Sequence, residues 1–176
     1  MKGMVFTEFL EMVEAKFSAD MVDDIIDDAN PASGGAYTSV GTYSHEELVD
    51  MVVALSNRTQ IPVPVLVRTF GEHVFGVFAR SFQQFFEGVP DALTFLSGIE
   101  DIIHAQVIKL YPDAQLPKFD CLREGNQLTM IYHSDRHLAD LAEGLIMGCG
   151  QHFGDNLTIQ RDEVNELSTR FIVTKV

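Results

Sequence analysis

Hydrophobic and polar residues follow two rhythms along this chain. Up to about position 111 the apolar side chains recur every three or four residues, as one face of a helix requires. Beyond it they mostly alternate singly, as a strand requires. Val5–Lys16 carries Val5, Phe6, Phe9, Leu10 and Val13 as one stripe, with Phe17 just past it. Ser18 caps a second helix, in which Met21, Val22, Ile25 and Ile26 alternate with Asp23, Asp24, Asp27 and Asp28. Asn30 to Tyr43 is a Gly-, Ser- and Thr-rich loop, with Tyr37 and Tyr43 expected to pin it. Ser44-His-Glu-Glu47 fits a capping box and opens a third helix to about Asn57. Pro62 and Pro64 start a long helix that Val89-Pro90 breaks, and on it Phe70, Val74, Phe78 and Phe82 step by four. A short turn, Asp91 to Ser97, leads into a helix over Gly98–Tyr111, where Ile99, Ile102, Ile103, Val107 and Leu110 make an apolar face. Phe119, Cys121, Leu128, Met130 and Tyr132 then alternate with polar residues around a turn at Arg123–Asn126, which predicts a β-hairpin. His137 to about His152 returns to helix, and segments 157–161 and 170–174 form a closing hairpin. The expected class is α+β: a helical N-terminal part, then a small antiparallel sheet with one inserted helix.

Composition narrows the possible partners. A chain of 176 residues predicts one domain over 1–176 with a core of its own. Its 12 basic against 26 acidic residues leave a formal charge of −14, which repels nucleic acid and anionic membrane surfaces. The aspartates of the second helix lack the glycine and spacing of a calcium loop and read as a solvated face. Cys121 and Cys149 are too few for a four-cysteine zinc site and fit a reduced compartment. Glu8 and Glu11 stand where a signal peptide would be apolar, and no run reaches transmembrane length, so a cytoplasmic protein is expected.

Three features carry candidate chemistry. His104 falls within the apolar arc of its helix, and a buried imidazole needs a partner: a backbone carbonyl, a water or a metal. Tyr132, Ser134 and Arg136 project to one side of an extended segment and present two hydroxyls and a guanidinium, which can tie down a loop or clamp carboxylates. The phenylalanines of the long helix either fill a core or line a flat cavity. Together the three meet the needs of haem: an axial imidazole, an apolar slot and donors for two propionates. Gly144 and Gly148, four apart, let a ligand or a backbone approach the last helix closely.

The chain resembles the H-NOX family, the haem nitric oxide/oxygen binding domains related to the haem domain of soluble guanylate cyclase. The residues that carry the likeness are Met1-Lys-Gly, His104 in Glu100-Asp-Ile-Ile-His-Ala-Gln-Val, Pro117 thirteen residues on, and Tyr132-x-Ser134-x-Arg136. The resemblance implies haem b between the helical part and the sheet, with His104 as its proximal ligand. It implies that Tyr132, Ser134 and Arg136 hold the propionates and that Pro117 presses on the macrocycle. It implies a pocket lined by Val5, Phe9, Val74, Phe78, Leu141 and Leu145. Family members that hold oxygen stably carry a distal tyrosine five residues after the motif arginine; here that residue is Leu141.

The implied function is a non-enzymatic sensor that binds nitric oxide and CO at ferrous iron, with little stable oxygen binding. Breakage of the His104–iron bond would signal in trans to a histidine kinase or to a cyclic-di-GMP enzyme (a diguanylate cyclase or phosphodiesterase). A haem peroxidase, a redox or thiol sensor using the haem or Cys121 and Cys149, and a cofactor-free interaction module are the rival expectations. His133, His137 and His152 are expected at the surface.

Overall fold

Helices come first and the sheet last in the computed structural model, which describes residues 1–176. The chain divides into two units, Met1–Phe70 and Gly71–Val176.

The first unit holds α1 (Gly3–Lys16), α2 (Ala19–Ala29), α3 (His45–Thr59) and the opening turns of α4 (Val63–Ser81). Phe6, Phe9 and Val13 of the predicted stripe, and Ile25 of α2, are almost wholly buried, joined by Met12, Met51 and Leu55, whereas Val5 and Leu10 of the stripe are half-buried. Ser18 caps α2 by accepting from the Met21 N–H at 3.1 Å. The capping box of α3 does not form. Ser44 accepts instead from the Glu46 N–H, while Glu47 turns to the 30–43 loop and accepts from the Ser33 hydroxyl at 2.6 Å and the Tyr37 hydroxyl at 2.9 Å. Tyr37 also stacks on Phe6, with ring centroids 4.4 Å apart. Burial pushes its phenol up to about 12. The loop reaches back to the start of α1, where a Cβ on Gly3 would collide with the Thr38 carbonyl oxygen. That close approach accounts for the glycine of Met1-Lys-Gly. The acidic face of α2 is partly neutralised, because Arg58 pairs with Asp24 at 2.7 Å and Asp28 at 2.6 Å. His45, in the first turn of α3, is half-buried.

The second unit departs more from the periodic reading. α4 ends at Ser81, not at Val89-Pro90; Phe82 leaves helical geometry and a 3₁₀ turn, Gln83–Phe85, follows. The phenylalanines here fold onto one another. Phe86 stacks on Phe95 at 4.7 Å, and Phe75, Phe78 and Phe153 close around them. The expected turn before Gly98 is a helix, α5 (Ala92–Ser97), capped by Asp91, which accepts from the Thr94 N–H at 2.8 Å. The expected helix over Gly98–Tyr111 splits into a π-helical segment, Ile99–His104, and α6 (Ala105–Leu110). The wider π turn shifts the phase of the side chains. Of the predicted apolar face only Ile103 is buried, while Ile102 is 54% and Leu110 55% exposed.

The sheet is antiparallel in the order β1-β2-β4-β3, from β1 (Lys118–Glu124), β2 (Gln127–His133), β3 (Leu157–Asn165) and β4 (Ser168–Lys175). Both predicted hairpins are present, and β4 joins them by pairing with β2 as well as β3. Leu128, Met130, Tyr132, Phe171 and Val173 point inward, and α7 (Ala139–Phe153) adds Ala142, Ile146 and Cys149 to the same core. α4 and α7 touch through glycine. A Cβ on Gly71 would lie 2.8 Å from the Gly144 Cα, and one on Gly148 would lie 2.8 Å from the Phe75 Cβ. A backbone, then, occupies the space that Gly144 and Gly148 open. No single helix is long and apolar enough to cross a membrane.

Candidate functional site

His104 closes the π segment and stands at the N-cap position of α6. Its Nδ1 lies 3.1 Å from Glu100 Oε1. An ionised carboxylate only accepts, so Nδ1 carries the proton and Nε2 keeps its lone pair. The side chain is 15% exposed. Burial lowers its pKa against the raising effect of Glu100, which favours the neutral ring. A neutral, oriented imidazole with a free lone pair at Nε2 is what a metal requires of a histidine.

Phe119 connects this histidine to the predicted clamp. Its ring centroid lies 6.0 Å from His104 and 5.4 Å from Tyr132, its partner across the β1–β2 register. Tyr132 is buried, and burial raises its phenol pKa, so the hydroxyl remains a donor. Ser134 lies just past β2, where its hydroxyl accepts from the Arg136 N–H at 3.1 Å and shapes the turn into α7. His137 follows with φ +53°, a left-handed residue that reverses the chain. Arg136 sends Nη2 to the Gln115 side-chain oxygen at 2.9 Å, next to Pro117 in the segment leading into β1. Arg58, Arg123, Arg161 and Arg170 each pair with a carboxylate, whereas Arg136 has only this neutral amide. A guanidinium without an acidic partner, in a chain with 26 acidic residues, is suited to an incoming carboxylate.

Val74 and Phe78 on α4, and Leu141 and Leu145 on α7, are half-buried apolar residues on two helices in contact. In the first unit Val5 is half-buried, but Phe9 is fully buried edge-on against Phe70, at 5.3 Å. Of the remaining histidines, His133 is half-exposed and bridges Asp120 and Ser168 at 2.8 Å each, and His152 is exposed with its ring 4.4 Å from Phe86. Sequence reasoning passed over Glu100 and Gln115. The four-residue step from Glu100 to His104 was the available signal for the first; Gln115 carries none.

The fold has counterparts in solved structures. The chain is similar to the Fe(II) unliganded H-NOX protein of K. algicida, at 38% identity and TM-score 0.94 over 100% of this chain and 97% of that one. It is similar to the H-NOX of Shewanella woodyi in the Fe(II)CO state, at 39% identity and TM-score 0.86 over 100% and 95%. It is also similar to an H-NOX protein from S. oneidensis in the Fe(II)NO state, at 28% identity and TM-score 0.91 over 100% and 99%. The fold is that of the H-NOX proteins. A family model described as Haem-NO-binding matches residues 2–161, and the chain belongs to that family. Its members are haem-binding gas sensors, taking ligands such as NO and CO, and are generally not catalytic on their own. No curated protein matches the chain.

Proposed function

We propose that residues 1–176 act as one haem domain that senses nitric oxide and, with it, CO, and signals in trans. The observation that carries this reading is the placement of His104: mostly buried and held at Nδ1 by Glu100, which leaves Nε2 to bind iron. Tyr132, Ser134 and Arg136 would hold the two propionates, and Arg136 would exchange the Gln115 amide for a carboxylate. Pro117 would bear on the macrocycle, with Val5, Phe9, Val74, Phe78, Leu141 and Leu145 as pocket lining.

Haem b, when bound, would supply a ferrous iron for nitric oxide, with His104 as the protein ligand whose bond the gas would weaken. The chain's own residues set the selectivity. Leu141 stands where oxygen-holding relatives carry tyrosine. The four tyrosines lie elsewhere: Tyr37 and Tyr43 in the 30–43 loop, Tyr111 after α6, and Tyr132 in β2. Val74, Phe78 and Leu145 offer no donor for the partial negative charge on bound dioxygen, and nitric oxide depends much less on one. The output passes to a separate protein, a histidine kinase or a cyclic-di-GMP enzyme.

The test is to load the parent and His104→Gly with haem and to compare their reduced visible spectra with and without nitric oxide. The parent is expected to give a five-coordinate ferrous spectrum that His104→Gly lacks. Identical reduced spectra for the two proteins would overturn the assignment of His104.

A further inference from the structure

Glu100 uses one oxygen for two partners in different elements. Its Oε1 accepts from His104 Nδ1 at 3.1 Å and from the backbone N–H of Phe119 at 2.6 Å. The first partner is four residues on in the π segment. The second lies in β1, nineteen residues away and at the edge of the sheet, where an N–H on the outer side has no neighbouring strand to bond. Glu100 therefore fastens the segment that carries His104 to the strand that carries Phe119. The Phe119 ring in turn neighbours both His104, at 6.0 Å, and Tyr132, at 5.4 Å between centroids.

A carboxylate on Nδ1 has two consequences. It fixes the ring's rotation and tautomer, and it lends negative charge to the imidazole, making Nε2 a stronger donor to a metal. Because the same oxygen also holds Phe119, any rotation of the His104 ring that moves its Nδ1–H changes the bond to the sheet edge.

Resting on the reading of His104 as the haem ligand, we propose that Glu100 is a positioning residue with two jobs: it strengthens the His104–iron bond, and it couples movement of His104 to the Phe119 end of β1. Leaving iron and loosening the sheet edge then become one event rather than two.

The test uses the haem-loaded parent, Glu100→Gln and Glu100→Ala. The readouts are the iron–histidine stretching band of the reduced protein and hydrogen exchange at the Phe119 amide. Glu100→Gln keeps an acceptor for Phe119 but removes the charge. It is expected to shift the band to lower frequency with Phe119 exchange near the parent's. Glu100→Ala is expected to shift the band and to speed Phe119 exchange roughly tenfold or more, the loss of one charge-assisted hydrogen bond. Nitric oxide is expected to speed Phe119 exchange in the parent. An unmoved band in Glu100→Gln overturns the first job. Phe119 exchange in the parent that ignores nitric oxide overturns the second. If Glu100→Ala does not fold, the other two proteins still decide both points. A parent with no iron–histidine band overturns the haem reading itself, an outcome distinct from a band that is present but unmoved in Glu100→Gln.

Discussion

Arg136 Nη2 rests on the side-chain oxygen of Gln115, 2.9 Å away. The contact joins the turn after β2 to the segment that holds Pro117, and it leaves the guanidinium's charge unmatched. A propionate satisfies that charge better than an amide does. Arg136→Ala is expected to weaken haem retention ten- to a hundredfold, since a charge-assisted hydrogen bond contributes about 1.5–3 kcal/mol. Arg136→Lys keeps the charge without the planar fork and should fall between. Transfer of haem to an excess of apomyoglobin, followed in the visible, measures this.

The thiol-sensor alternative requires a reactive cysteine. Burial pushes Cys121 up to about 11 and Cys149 higher still, and Cys149 is fully buried. At pH 8 the Cys121 thiolate is roughly a hundredfold scarcer than that of an ordinary thiol. Alkylation of the native protein by iodoacetamide should accordingly run about two orders of magnitude slower than that of the unfolded chain. Comparable rates would restore the thiol reading.

Gly148 on α7 and Gly76 on α4 carry opposite predictions. A Cβ at Gly148 meets the Phe75 Cβ at 2.8 Å, whereas at Gly76 the nearest atom is the flexible Arg80 Nη1 at 3.4 Å. Gly148→Ala should destabilise by about 1–3 kcal/mol through overpacking. Gly76→Ala should stabilise by about 0.5–1 kcal/mol, because alanine favours helix. Urea unfolding of the two variants checks the signs.

Acid should weaken the cap of α5. Hydrogen bonds from Thr94, with help from the nearby Arg123 guanidinium, hold the Asp91 carboxyl down to about 2, from 3.8. A depressed folded-state pKa gives stability that is complete above about pH 4 and disappears as the pH falls towards 2. Allowing for solvent screening, its share is about 1 kcal/mol. The gap in urea midpoint between parent and Asp91→Asn should therefore close between pH 5 and pH 2. A gap that stays constant would contradict it.

The sequence was most readable where one rhythm holds over many residues. The stripe of α1, the Ser18 cap and the alternation at Leu128, Met130 and Tyr132 all survive folding. It was least readable around the candidate site. A period of 3.6 residues places Ile102 and Leu110 on a buried face, but a π turn ending at His104 exposes both. The short helix α5 was hidden by its six residues, although Asp91 three residues before Thr94 is a capping signal. The pairing of β2 with β4 has no local signature, since it depends on residues some forty positions apart. Glu100 shows the same limit. Its step to His104 is visible in the chain, but its bond to Phe119 exists only once β1 has folded alongside.

On the function proposed here, the chain holds haem through His104 and distinguishes nitric oxide from oxygen. The most direct measurement is the visible spectrum of the reduced protein, expressed with haem supply and exposed first to air and then to nitric oxide. The predicted result is a Soret band that air leaves unchanged and nitric oxide shifts. No Soret band, or a stable oxygen complex under air, would contradict it.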